Sequence, residues 1–188
     1  MKPESQSDEA LMDQVVRGDR ACLEILVRRF SIPMLTYLRR FLGKEHLAEE
    51  VFQEVFLTVW EKRDQYRAGS LFRPWLFAIG ANKSREHFRR ARYRSAGDGQ
   101  GHTVEVEDPM HGPVETLVQA EHAEAINAAL DELTTQQKSI VIMRVWNGLS
   151  YAEIGIALGT QEGAVRAGMF RALEKLRPIL SRLCDPAS

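Results

Sequence analysis

Between Ser95 and Pro113 the chain abandons the pattern it keeps everywhere else. This stretch holds Gly97, Gly99, Gly101, Pro109, Gly112 and Pro113 with few large apolar residues, a composition that neither sustains a helix nor supplies a core. On both sides apolar residues recur at helical spacing, and the only strand-like alternation is the brief TVEVE at Thr103–Glu107. Such a chain is expected to be all-α: two small helical domains, residues 1–94 and 117–188, joined by a flexible linker over 95–116. At 188 residues, 44% of them hydrophobic, both halves have enough apolar surface to bury a core.

In the first half a short helix near Asp8–Arg17 ends at Gly18. A longer one carries Leu23, Leu26, Val27, Phe30, Met34, Leu38, Phe41 and Leu42, with an interruption expected at Pro33 and a stop at Gly43. A third, from about His46 to Lys62, repeats Leu47, Val51, Val55 and Val59 every fourth residue. After a loop, RDQYRAGSLF, Pro74 opens a fourth helix bearing Trp75, Ile79 and Phe88. The four make a bundle. In the second half a helix near Leu117–Leu130 precedes two capping-box spacings, Thr134 with Gln137 and Ser150 with Glu153. Gly148 and Gly159 fit as helix stops, and Thr160 as the next cap.

The net charge of -1 conceals a segregation. Lys83, Arg85, Arg89, Arg90, Arg92 and Arg94 face a single anion, Glu86, whereas no lysine or arginine occurs from Asp98 to Glu132, which is strongly acidic. A chain so divided can bind a polyanion locally while staying near neutral overall. No run of about 18 apolar residues is present, and the N-terminal MKPESQSDEA lacks a signal pattern, so a cytoplasmic protein without membrane insertion is expected. Cys22 and Cys184 share no motif spacing, and His46, His87, His102, His111 and His122 form no ligand pair, so these are read as structural or incidental thiols and surface histidines. Neither a phosphate-cradling glycine loop nor a nucleophile elbow is present. The sequence therefore calls for no catalytic residues, cofactor or metal.

The segment LSYAEIGIALGTQEGAVRAGMFRALEKLR, Leu149–Arg177, has the requirements of a helix-turn-helix: a small residue at the crossing (Gly155), a glycine at the turn (Gly159) and a branched anchor on the second helix (Val165). Val165, Met169, Ala172 and Leu176 then share one side, leaving Gly163, Arg166, Ala167, Phe170 and Arg171 outward. Such a face fits a major groove, with arginine on guanine or phosphate and Phe170 on a thymine methyl. The plainer alternative is a solvated hairpin whose arginines balance Glu162 and Glu174. Upstream, FRPWLFAIGANKSREHFRRARYR mixes rings with cations, the combination that single-stranded nucleic acid requires. Trp75 and Phe88 keep the apolar face and are expected in the core, which leaves Tyr66, Phe72 and Asn82 for base contact. A helix end capped by cations would need fewer of them.

AEEVFQEVFLTVWEKRDQYRAGSLFRPWLFAIGANKSREHFRR and LTTQQKSIVIMRVWNGLSYAEIGIALGTQEGAVRAGMFRALEKLR together resemble the two domains of an extracytoplasmic-function (ECF) sigma factor of bacterial RNA polymerase, and DEALMDQVVRGDRACLEILVRRF resembles the first helices of that family. The resemblance implies a sigma region 2-like bundle and a region 4-like helix-turn-helix. It implies binding to core RNA polymerase (beta and beta-prime subunits) and promoter DNA, with an anti-sigma protein as regulator. Glu50, Gln53 and Glu54 correspond to the surface for the polymerase clamp helices. The loop Asp64–Phe72 and the following helix through Asn82, with Tyr66, Phe72 and Asn82, resemble the part that captures a flipped base of the -10 element, where a pocket and the nearby cations, Lys83, Arg89 and Arg90 among the -10 contacts, offset the cost of unstacking. Arg166, Ala167, Phe170 and Arg171 fall where the -35 duplex is read. Where relatives often carry VKSRL this chain has VRAGM, so Ala167 and Gly168 replace a hydroxyl and a cation. The expected result is a weaker -35 grip offset by polymerase tethering, the alternative being closer backbone approach to DNA. The acidic linker is expected either to mimic a nucleic-acid strand near the polymerase active-site channel or to be an inert spacer. The competing reading is a conventional helix-turn-helix regulator that binds duplex unaided, its N-terminal bundle serving dimerisation or sensing; the basic, aromatic fourth helix argues against it.

Overall fold

The structure, a computed structural model, describes residues 5–97 and 125–184. Within them the chain forms α1 (Asp8–Val16), α2 (Arg20–Leu42), α3 (Glu45–Glu61), a 3-10 turn (Arg63–Gln65), α4 (Phe72–Gly97), α5 (125–131), α6 (Thr135–Val145), α7 (Tyr151–Leu158) and α8 (Glu162–Cys184). No strand occurs among the described residues. The TVEVE segment, most of the expected linker, and His102, His111 and His122 lie outside them, as do the side chains of Arg92, Tyr93, Arg94 and Cys184.

Local chemistry places the helix ends. Ser7 accepts from the Ala10 amide to start α1, and the Asp19 carboxylate accepts from the amides of Ala21 and Cys22 to start α2. Both capping boxes form: Thr134 and Gln137 bond reciprocally at the head of α6, as do Ser150 and Glu153 at the head of α7. Glu153 feels burial first, which raises its pKa, but the Ser150 bonds and nearby Arg73 outweigh it and hold the carboxyl below its ordinary value.

Three boundaries differ from expectation. α2 runs unbroken through Pro33, because packing on both flanks compensates the one helical hydrogen bond that a proline nitrogen cannot donate. α4 continues to Gly97, past the expected boundary at residue 94. α8 begins at Glu162, so Thr160 stands too early to be its cap.

The core of the first half gathers Leu11, Leu26, Met34, Leu38, Val51, Val55, Leu76 and Phe77, all fully buried. The second half packs Leu130, Ile140, Ile142, Ile154, Val165 and Ala172. These form one continuous buried cluster, because α7 lies against α4 and α6 lies against α2. The seam between the halves is polar at its centre. Tyr37 Oη and Ser139 Oγ are 3.1 Å apart and both side chains are buried. Burial first, partly offset by the Ser139 bond and the charge of Arg85, pushes the Tyr37 phenol up to about 12.

Candidate nucleic-acid and polymerase interface

The helix-turn-helix is built from its glycines outward. α7 ends at Gly159, whose φ of +64° puts it in the left-handed region, and the chain reverses as Thr160 N–H donates to Gly155 O at 2.9 Å. A Cβ on Gly155 would stand 2.8 Å from Thr160 O. The small residue is thus demanded by the backbone of the turn itself. Val165 is fully buried under the turn.

On α8 the expected outward residues are outward: Arg166, Ala167, Phe170 and Arg171 are all exposed, Phe170 to 61%. A phenylalanine so exposed keeps apolar surface in water, which a groove contact would remove. Arg166 donates to Glu162 Oε1 from Nε at 3.0 Å and from Nη2 at 2.5 Å. Its guanidinium also lies 4.7 Å from the Tyr151 ring centre, with Arg144 at 4.8 Å from the same ring. The pairing with Glu162 that the plainer reading foresaw is therefore present, while Phe170 and Arg171 remain open.

Gly168 does not share that face. It is buried, and a Cβ there would stand 2.7 Å from Ile140 Cδ1 on α6. The position belongs to the crossing of α8 over α6, so both expectations for Gly168, each framed on contact with DNA, are corrected. The glycine lets two helices approach.

The first half departs from the sequence reading at its rings. Phe72 is fully buried and Tyr66 is 5% exposed. Phe72 packs edge-on to Phe30 at 5.3 Å, and Tyr66 edge-on to Trp75 at 5.3 Å. The Tyr66 hydroxyl donates to Ser70 O, and the Phe72 amide donates to Glu9 Oε1 at 3.2 Å. Burial first, then the negative charges of Glu9, Asp13 and Asp8, pushes the Tyr66 phenol up to about 12. Neither ring offers a face to a base here. Together they fix the loop that leads into α4. Conversely Phe88, expected in the core, is 40% exposed at the outer edge of the Phe41 ring, and Trp75 is half-buried. Leu71, at the loop's end, is 50% exposed.

Asn82, Arg89 and Arg90 are exposed along α4. Arg85 holds the Asn82 carbonyl oxygen at 2.9 Å, which leaves the Asn82 amide as a donor, and Arg90 pairs with Glu86 at 2.5 Å. Lys83 turns away from this face: its Nζ lies 3.3 Å from Glu54 Oε2 on α3. The structure thereby joins two residues that the sequence had assigned to different sites.

On α3, Glu50 and Gln53 are exposed, and Glu54 is half-buried between Lys83 and the buried His87, whose Nε2 is 3.1 Å away. Burial raises the Glu54 pKa, but bonds from His87 and Lys83 outweigh it and hold the carboxyl below its ordinary value. His87 is therefore interior, not the surface residue expected. The donor atoms of Glu50, Glu54 and His87 lie within 4.8 Å of one another. An ammonium already occupies the charge position a cation would take, so the residues present do not fit a metal. Leu57, one turn beyond Gln53, is 62% exposed and extends the same stripe with an apolar element. Its i+3 spacing from Glu54 was the available signal.

The comparisons agree with this architecture. Residues 26–94 match the family model described as Sigma-70 region 2, and residues 123–176 match Sigma-70, region 4. The RNA polymerase sigma factor NccH of Alcaligenes xylosoxydans xylosoxydans is 31% identical over 92% of this chain and 94% of its own length. The ECF RNA polymerase sigma-E factor of Escherichia coli strain K12 is 25% identical over 95% of this chain and 99% of its own. Among solved structures, CnrH in complex with the cytosolic domain of CnrY shares the fold with a TM-score of 0.73 at 24% identity, over 94% of this chain and 99% of that one. The sigma factor RpoE in complex with the anti-sigma factor NepR from Bartonella quintana does so with a TM-score of 0.61 at 22% identity, over 83% and 96%. What the fold and the exposed basic and acidic helices define is a two-domain helical transcription factor. This chain belongs to the ECF family of RNA polymerase sigma factors. Membership decides between the two readings that the sequence left in competition. Among the described residues, no helix is long and apolar enough to cross a membrane.

Proposed function

We propose that the chain binds core RNA polymerase, reads the -35 and -10 elements of its promoters, starts strand separation at the latter, and is held inactive by an anti-sigma protein. The observation that carries this reading is the pairing, in one chain, of two different basic helices left open to solvent. α8 exposes Arg166, Ala167, Phe170 and Arg171 on a helix-turn-helix, which suits duplex in the major groove. α4 exposes Asn82, Phe88, Arg89 and Arg90, a donor, a ring and two cations, which suits an unpaired strand.

With Tyr66 and Phe72 buried, capture of a flipped base falls to the Asn82 amide and to the exposed Phe88 ring, while Arg89 and Arg90 track phosphates. Lys83 acts by fixing Glu54. Glu50, Gln53 and Leu57 present an acidic and apolar stripe to the polymerase. An anti-sigma partner is supported by the two solved neighbours, each of which was found with a protein bound to it.

Purified protein mixed with core polymerase and a random promoter library tests the reading. New transcription starts sharing two upstream motifs are expected. Retention of duplex DNA by the protein alone, with no polymerase binding and no starts, would contradict it.

A further inference from the structure

α4 starts where its own sequence offers no cap. Its first turn contains no acidic residue, Leu71 before it has no side-chain acceptor, and Pro74 within that turn has no N–H to donate. The Phe72 amide, at the first position of the helix, nevertheless has a partner. Glu9 Oε1 accepts from it at 3.2 Å, from a residue 63 positions earlier in the chain. A carboxylate at that point also meets the positive end of the helix dipole. The cap missing from the local sequence is thus supplied by α1.

α1 is held in a way that suits it to the task. Leu11, Met12 and Val15 are fully buried beneath it. Just before Glu9, Arg29 of α2 donates from Nη1 to Gln6 O at 2.8 Å and to Asp8 Oδ1 at 2.7 Å. Beyond it, Cys22 Sγ, also on α2, donates to Gln14 Oε1 at 3.4 Å. Glu9 therefore stands between two ties to α2, and its carboxylate is aimed rather than free to sweep.

The loop that Glu9 meets is fastened at three points. The Ser70 amide donates to Arg67 O at 3.0 Å around Gly69, whose φ is +80°. The Tyr66 hydroxyl donates to Ser70 O, and the Phe72 amide donates to Glu9. Of these three, only the last ties the loop to another helix. Arg67, Ala68, Gly69 and Leu71 stay exposed on its rim, beside the start of α4. A segment that must receive an unstacked strand loses affinity if it has to be ordered at the moment of binding.

We propose that α1 braces the segment that receives the -10 strand, with Glu9 as a positioning residue that caps α4 across the fold and touches no DNA. The inference rests on the sigma reading above and deepens it by adding a residue outside both exposed helix faces. Removing the acceptor loosens the loop and the first turn of α4, and the strand then has to order them on binding. Glu9→Gln keeps a carbonyl oxygen in the acceptor's place, whereas Glu9→Ala does not.

The test uses the full chain reconstituted with core polymerase, a single-stranded oligonucleotide of the -10 segment and a -35 duplex, both from a promoter recovered from the library. Glu9→Ala should weaken binding of the single strand by about fivefold, the loss of one charge-assisted hydrogen bond, and leave duplex affinity unchanged. Glu9→Gln should stay within about twofold of wild type. Gln14→Ala, which loosens α1 without touching the loop, should do the same. Amide exchange should speed up at Phe72 by about tenfold in Glu9→Ala alone. Faster exchange at Phe72 with wild-type strand affinity would overturn the proposal, as would equal losses in Glu9→Ala and Gln14→Ala or in Glu9→Ala and Glu9→Gln. If wild type and variants all failed to bind both DNAs, the sigma reading would fall instead, and exchange at Phe72 would still report whether Glu9 caps α4.

Discussion

The two open basic helices were not equally legible. α8 reads correctly from the sequence because its design is local: a capping box, a turn glycine and an anchor within a few residues fix which side is buried, and Arg166, Ala167, Phe170 and Arg171 come out where spacing puts them. The rings of α4 and its leading loop do not follow the sequence pattern, because their fate is tertiary. Phe72 and Tyr66 stand at a loop, where periodicity says nothing, and they are drawn in by Phe30 and Trp75. Phe88 keeps helical phase with the apolar face, but it stands beyond the end of the α2 cover and stays 40% exposed. Periodicity gives direction around a helix; it does not give how far along the helix a neighbour extends.

The sharpest way to break that contrast is at Gly155. Gly155→Val would drive a side chain into the Thr160 carbonyl at 2.8 Å, so the helix-turn-helix is expected to lose several kcal/mol (about 3 or more, as for severe overpacking) in denaturant unfolding. Gly168→Ala meets only the tip of Ile140. A gain of about 1 kcal/mol in helix propensity then largely offsets the strain, and stability should move by under about 1 kcal/mol. If the two substitutions cost the same, the distinction between turn backbone and flexible neighbour is wrong.

In the first domain Phe72→Ala should destabilise by about 3–5 kcal/mol, since it empties a fully buried site. Phe88→Ala should change stability by under about 1 kcal/mol while weakening binding to a single-stranded -10 oligonucleotide. Equal stability losses would return Phe88 to the core. On α8, Arg171→Ala should cost about 1–3 kcal/mol of promoter affinity and relax one base position if the arginine reads a base; if it meets a phosphate, the salt dependence should fall by about one unit instead.

The smallest effects are in pH. Tyr37 and Tyr66 have phenols raised from 10.0 to about 12, so their contribution is complete below pH 10 and lost as pH rises towards 12. Glu54 lies the other way: its pKa is lowered from 4.5, so its contribution is present above that value and lost as pH falls through the depressed one. Glu54→Gln should shrink the acid-side loss in a thermal melt, leaving the part due to Glu153, whose carboxyl is also held below its ordinary value, and should leave the alkaline loss intact.

Much of the remaining architecture was written in short-range signals, including both capping boxes and the division into two helical halves. The meeting of those halves was not. Tyr37, Ser139 and Asn147 carry no motif, and only the folded chain brings residues so far apart in sequence to one seam. The same holds for Glu54 and Lys83, which sequence position assigned to polymerase and DNA and which the structure pairs across α3 and α4.

The most direct test of the account is a footprint of the reconstituted holoenzyme on a promoter recovered from the library. Two protected segments about 25 base pairs apart are expected, with thymines reactive to permanganate only in the downstream one, and both lost without polymerase. A single protected duplex segment, unchanged when polymerase is omitted, would contradict the division of labour between α4 and α8.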